Sequence, residues 1–261
     1  MFARAGRKEG FTLVELAIVL VIIGLLIGGI LVAQSMVRTA KIQAFIRQID
    51  QFDVAITNFQ TKYNSLPGDT RFFANPGNGN GIIEDSNMLA GNSWVARFDQ
   101  EVANAWTHLS SDGFMPDNIV YSNDASSGIK AGINTPVAKL GKALNGKGPA
   151  VIIYRDSTQP HESYWIADFS KTSSTFFNDY SLYTSVFTPM EALAIDTKID
   201  DGIANNIAGN SSVGSGGIVG AWTTPAPDGT RCFNNSGVYL TNNNLECMLF
   251  IRVTRVQGGT P

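Results

Sequence analysis

The chain has 261 residues and a formal charge of −3, from 19 Lys and Arg against 22 Asp and Glu. It is long enough to bury a sizeable core, and it is not a generally basic nucleic-acid binder. A hydrophobic fraction of 44% excludes wholesale disorder and a polytopic membrane protein, and two Cys with two His leave little material for a zinc or iron–sulfur centre.

The apolar residues are unevenly spread. Ala17 to Ala33 is seventeen residues without a charge, and nothing later resembles it. Arg4, Arg7 and Lys8 precede this run, which places the amino terminus on the cytoplasmic side. A secretory signal peptide also starts with basic residues, but it ends in a small-x-small cleavage site. Here the chain continues Gln34-Ser35-Met36-Val37-Arg38 without a turn signal, so the apolar segment reads as retained. Glu15 stands near its start, in Phe11-Thr12-Leu13-Val14-Glu15-Leu16. A carboxylate at membrane depth costs a few kcal/mol unless it finds a partner. It lies either at the headgroup boundary or opposite a new α-amine, made by a cut before Phe11 on a neighbouring copy.

Lys8-Glu9-Gly10-Phe11-Thr12-Leu13-Val14-Glu15 resembles the prepilin processing site of type IV pilins and type II secretion pseudopilins. The resemblance implies that a prepilin peptidase cleaves after Gly10 and N-methylates Phe11, and that Glu15 is the assembly glutamate. Losing Arg4, Arg7, Lys8 and Glu9 would leave 16 basic and 21 acidic side chains, a formal side-chain charge of −5. It further implies copies of the chain and other pilins as partners, with an inner-membrane assembly platform and its ATPase. The expected location is the bacterial inner membrane as a single-pass precursor, then a periplasmic or extracellular filament. Nucleic acid is not an expected ligand.

No proline occurs between Phe11 and Leu66. Ile42, Phe45, Ile49, Phe52, Ile56, Phe59 and Tyr63 repeat at spacings alternating between three and four, a narrow apolar seam on a helix. Lys41, Arg47, Gln48, Asp50, Gln51 and Asp53 flank it. The seam should pack on the body of the same subunit; a free coiled coil is the competitor, with only about three heptads to support it. Many pilins kink this helix at a proline matching Val32, which this chain lacks. The predicted organisation is a basic leader over 1–10, a membrane or filament-core half-helix over 11–37, an amphipathic half over 38–65, and a globular body over 66–261.

Leu66-Pro67-Gly68-Asp69 ends the helix with a turn. Asn75 to Asp85 reads as a plain Gly/Asn turn. It partly resembles a calcium loop, but the register puts Pro76 where the first Asp ligand belongs. Ser93 to Leu109 predicts a second helix with His108 in a capping or surface role, and 118–148 predicts long loops. Pro149 to Tyr154 and Tyr164 to Phe169 predict strands around a turn at Pro160, where His161 has no evident catalytic partner. Thr188-Pro189-Met190-Glu191 is a capping box that starts a short helix to about Ala194.

Asp196, Asp200 and Asp201 follow within six residues. Lys198 and solvent can relieve their repulsion; a calcium ion stiffening the loop to Gly209 is the alternative. The segment resembles an acidic stretch of many pilin-like proteins. No other cofactor is expected.

Ser211 to Gly220 predicts a flexible loop before a strand near Ala221. Cys232 and Cys247 can oxidise beyond the inner membrane, and closing that loop contributes about 3 kcal/mol. Val238 to Leu240 and Met248 to Val253 predict a hairpin stapled by this disulfide. The fold class is α+β and pilin-like: a long N-terminal helix on a small antiparallel sheet, with short extra helices and long loops. No hydrolase, metalloprotease, P-loop or dinucleotide motif stands in a convincing setting. The reading is a non-enzymatic filament subunit, major or minor. The alternative is a membrane-anchored adhesin or DNA receptor that uses a pilin-type leader.

Overall fold

A computed structural model describes residues 10–86, 97–120, 128–142, 148–155, 161–169, 184–204, 218–222, 231–234 and 236–254. The basic leader, the turn at Pro160 and the Gly/Ser loop before residue 218 lie outside them. The chain divides into two compact units, Met1–Lys41 and Ile42–Pro261. Helix α1 (Leu13–Tyr63, 51 residues) contributes to both.

In the first unit, α1 stays helical through Gly24, Gly28, Gly29 and Val32. Its described side chains are exposed from Leu13 to Val37, and this stretch is apolar and long enough to cross a membrane.

The second unit begins where the seam begins. Ile42, Phe45, Ile49, Phe52, Ile56 and Phe59 are all buried, so the seam covers a core and is not a free coiled coil. Asn64, at φ 50°, caps the helix in the left-handed region, and its N–H donates to the Gln60 carbonyl at 2.7 Å.

Helix α2 (Gln100–Ser111) starts later than Ser93. Residues 93–96 lie outside the described set, and Asp99 is extended at the N-cap. Its carboxylate accepts from the Ser86 N–H and hydroxyl at 2.9 and 2.7 Å, which ties the residue to the preceding loop. Trp106 of α2 packs edge-on against Phe52, ring centres 4.7 Å apart. His108 is not at the surface as expected. It is 2% exposed, stacks on Phe59 and Phe73, and its Nδ1 accepts from the Gly68 N–H at 3.0 Å.

Strands β1 (Ala150–Tyr154) and β2 (Ser163–Ala167) pair antiparallel with Ile152 opposite Trp165. Helix α3 (Pro189–Ile199) carries the expected capping box, with Glu191 N–H on the Thr188 hydroxyl, but runs a full turn past Ala194. Strands β3 (Val219–Trp222) and β4 (Met248–Arg252) complete a wholly antiparallel sheet in the order β1-β2-β4-β3. The predicted hairpin between 238–240 and β4 is absent. Tyr239 instead bridges to Phe233, and β4, buried along Met248–Ile251, takes a central place where both edges find ladder partners.

The architecture is α+β and pilin-like, as the sequence implied. Polar residues on α1 hold the pieces together. Gln48 pairs with the strand-like segment 137–139 in both directions, donating to the Val137 carbonyl and accepting from the Lys139 N–H, each at 2.8 Å. The loop after α1 is held by carboxylates: Asp69 accepts the N–H groups of Gly79, Asn80 and Gly81. This favours the turn over the calcium-loop resemblance, because the backbone turns its donors inward.

Candidate functional site

The amino-terminal segment presents three predicted site residues side by side. Gly10 is exposed, and a Cβ placed on it meets no described atom within 4 Å. Nothing in the chain's own described packing therefore requires glycine there. Phe11 is 83% exposed. Thr12 and Glu15 form a reciprocal cap on α1. The Thr12 N–H and hydroxyl donate to Glu15 Oε2 at 2.8 and 2.9 Å, and the Glu15 N–H donates to the Thr12 hydroxyl at 3.3 Å. Such a box satisfies donors that the first turn of a helix leaves orphaned, and a carboxylate there also faces the positive end of the helix dipole. The spacing Thr12-x-x-Glu15 is the sequence signal for this cap, and the processing motif that overlaps it hides the local role.

The second unit holds the acidic triad at the end of α3. One carboxylate oxygen from each of Asp196, Asp200 and Asp201 lies within 4.8 Å of the others. The expected solvated helix end forms only in part: Asp201 is exposed and Asp200 half-buried, but Asp196 is not solvated and Lys198 does not relieve it. Asp196 is 0% exposed, and Lys198 is exposed and pairs with none of the three among the described residues. Asp196 accepts from the Tyr239 hydroxyl at 2.9 Å and the Gly202 N–H at 3.3 Å. Asp200 accepts from the N–H groups of Ile218 and Val219, and Asp201 from that of Ile203. Burial pushes the Asp196 carboxyl up to about 6 against those hydrogen bonds, and the charges of Asp201 and Asp200 push the same way. Tyr239 is raised too, chiefly by burial and then by Asp196, so its hydroxyl remains a donor.

Cys232 and Cys247 are joined in a disulfide, and both are fully buried. The bond ties the Phe233–Tyr239 turn to the residue before β4. A separate pocket of about 640 Å³ lies between α1 and the segments 114–119 and 132–139, lined by Gln48, Phe52, Phe114, Ile119 and Val137 among others.

The prokaryotic N-terminal methylation motif matches the chain over residues 6–31. This motif is the prepilin-type signal characteristic of type IV pilins and pseudopilins, and in this chain it runs into the exposed apolar start of α1. The combination fits a membrane-anchored precursor that a prepilin peptidase processes and that assembles with other pilins. No curated protein and no solved structure matches the chain.

Proposed function

We propose that the chain is a structural subunit of a type IV pilus or a type II secretion-like filament, processed after Gly10 and polymerised through its N-terminal helix. The observation that carries this reading is the methylation motif at residues 6–31, which overlaps the start of a helix whose apolar face has no cover among the described residues. In lipid, that face is solvated by acyl chains; in a filament, copies of the same face replace them. Glu15 is the residue that makes the transfer specific. Its self-made cap with Thr12 reduces the cost of a carboxylate at membrane depth, and the α-amine of Phe11 on a neighbouring copy supplies a cationic partner after cleavage. Gly10 is a requirement of the peptidase. The single-pass precursor sits in the bacterial inner membrane with a cytoplasmic leader over 1–10, and a platform protein with its ATPase extracts it.

Calcium at Asp196, Asp200 and Asp201 belongs to the same reading. Hard carboxylate oxygens at this spacing suit a cation that takes oxygens at about 2.4 Å. The ion would lock the end of α3 to the start of β3, which Asp200 already joins by its backbone contacts.

A membrane-anchored binding module is the second reading, favoured by the 640 Å³ pocket. The two separate on Glu15→Ala. Intact mass of the protein from membranes and from sheared surface material decides between them. A filament subunit starts at Phe11 with one added methyl, and the variant disappears from the sheared fraction. An anchored module tolerates Glu15→Ala, and an uncleaved chain confined to membranes refutes both processing and polymerisation.

A further inference from the structure

The pocket of about 640 Å³ in the second unit is walled by apolar side chains from three stretches of sequence. Phe52 and Ala55 line it from α1, Phe114, Met115 and Ile119 from the loop after α2, and Val137 from the strand-like segment. Phe52, Ala55, Met115 and Ile119 are buried and form its floor. The apolar character continues to the mouth. Val54 lines the pocket and is exposed; Val120 and Ile133, each one residue on from a lining residue, are exposed too, and the Val120 N–H donates to the Ile133 carbonyl at 2.9 Å. A cluster of exposed apolar side chains at the mouth of a cavity marks a place where something binds.

The polar groups that reach this pocket are satisfied within the chain. Gln48 uses both ends of its amide on the 137–139 backbone. The Ile119 N–H donates to the Ser110 hydroxyl at 3.0 Å, and that hydroxyl donates to the Asp117 carbonyl. The Gly132 N–H donates to the Thr135 carbonyl at 2.7 Å. Among the described residues, no buried polar side-chain atom lacking a partner belongs to the lining. The interior therefore holds no free donor or acceptor that calls for a polar ligand.

Charge gives no preference for an ion. Asp50 and Asp117 line the mouth together with Lys139, and Arg47 stands one turn before the lining Gln51 on α1; all four are exposed. Lys62 lies over the Phe114 ring at 5.6 Å, but Asp112 holds its ammonium at 2.8 Å. Two carboxylates thus stand with two cations, and the remaining pair neutralises itself. An ion entering here would lose hydration without a net opposite charge to replace it, whereas a neutral apolar molecule loses little. Two phenyl rings and a thioether in the walls favour a flat ring over a chain.

We propose that this pocket binds a small uncharged aromatic molecule. Its volume suits enclosure of a whole small ligand. The pocket belongs to the folded body, so it binds whether the chain is a filament subunit or an anchored module.

The test uses the full chain in lipid nanodiscs with isotope-labelled methionine methyls. It follows the Met115 methyl, assigned by Met115→Leu, as indole is added. Indole should shift that signal saturably at millimolar concentrations or below and leave Met248 of β4 unmoved. Tryptamine and indole-3-acetate, which add a cation and an anion to the same ring, should bind about tenfold or more weakly. Ala55→Leu narrows the cavity and should weaken indole about tenfold. Val54→Trp, at the exposed mouth, makes the same comparison if Ala55→Leu does not fold. The absence of a saturable shift at Met115, a charged probe that binds as tightly as indole, or an indole affinity unchanged by filling the cavity overturns the site. Cross-peaks from lipid acyl protons to the Met115 methyl before indole is added also overturn it, in favour of a lipid tail.

Discussion

Asp53 and Thr254 stand 201 residues apart in sequence, and the Thr254 hydroxyl donates to Asp53 Oδ2 at 2.6 Å. The other oxygen of Asp53 accepts from the Tyr164 hydroxyl at 2.8 Å. One carboxylate on α1 therefore joins β2 and the residue just beyond β4. Tyr164 is fully buried, and burial followed by the charge of Asp53 holds its hydroxyl protonated. Asp53→Ala removes both bonds, together with a third from the Thr254 N–H at 3.3 Å, and strands the Tyr164 hydroxyl. We expect a loss of about 2–3 kcal/mol in denaturant unfolding, with Asp53→Asn intermediate. A loss below about 0.5 kcal/mol would mean that the anchor carries no weight.

Gly68 has φ +92°, and a Cβ there would sit 2.3 Å from the Glu101 carbonyl oxygen. Its N–H also holds His108. Gly81 has a similar φ of +84° but open space around it. Gly81→Ala should cost only the left-handed penalty of about 1–2 kcal/mol. Gly68→Ala adds a backbone clash and should cost clearly more, up to failure to fold. Equal losses in thermal unfolding would show that the close approach to α2 is unimportant.

Burial pushes His108 down to about 4, so the native ring is neutral. A lowered folded pKa stabilises above the unfolded value of 6.5, and that contribution is lost as the pH falls from 6.5 towards 4. The loss approaches about 1.4 kcal/mol per pH unit at most. His108→Gln keeps an acceptor for Gly68 and should shrink this acid limb. His161 titrates in the same direction and leaves part of it in place. An unchanged acid limb in the variant would place the proton uptake elsewhere.

The disulfide acts within the second unit alone. Cys232→Ser with Cys247→Ser should lower unfolding stability by about 3 kcal/mol. Cleavage after Gly10, read by intact mass, should continue unchanged. A variant that is both folded and uncleaved would contradict the independence of the two units.

Calcium gives a fifth handle on the second unit. If the ion binds at Asp196, Asp200 and Asp201, calcium should raise the unfolding temperature of the wild-type chain by mass action, and Asp200→Asn with Asp201→Asn should abolish that shift. An equal shift in wild type and variant would move the ion elsewhere.

The parts legible in sequence are those written as periodicity or as punctuation. The seam from Ile42 to Phe59, the Thr188–Glu191 capping box and the uncharged run before Arg38 each follow from local spacing, and each forms as read. Partners brought together from far along the chain are not legible. Gln48 and Asp53 look like flanking polar residues, although Gln48 lies three after Phe45 and Asp53 four after Ile49, at the edge of the buried face. The place of β4 is easily misread because adjacency in sequence suggests a hairpin, whereas its unbroken apolar run calls for neighbours on both edges.

The strand order also has a consequence for synthesis. Among the four described strands the last in chain order is an interior one, so β2 and β3 wait without a shared partner until it is made. Any truncation before Met248 removes the middle of the sheet rather than its rim. A nascent chain holds this sheet unfinished, open to proteases and chaperones, until β4 is in place and Asp53 receives its ligand from Thr254.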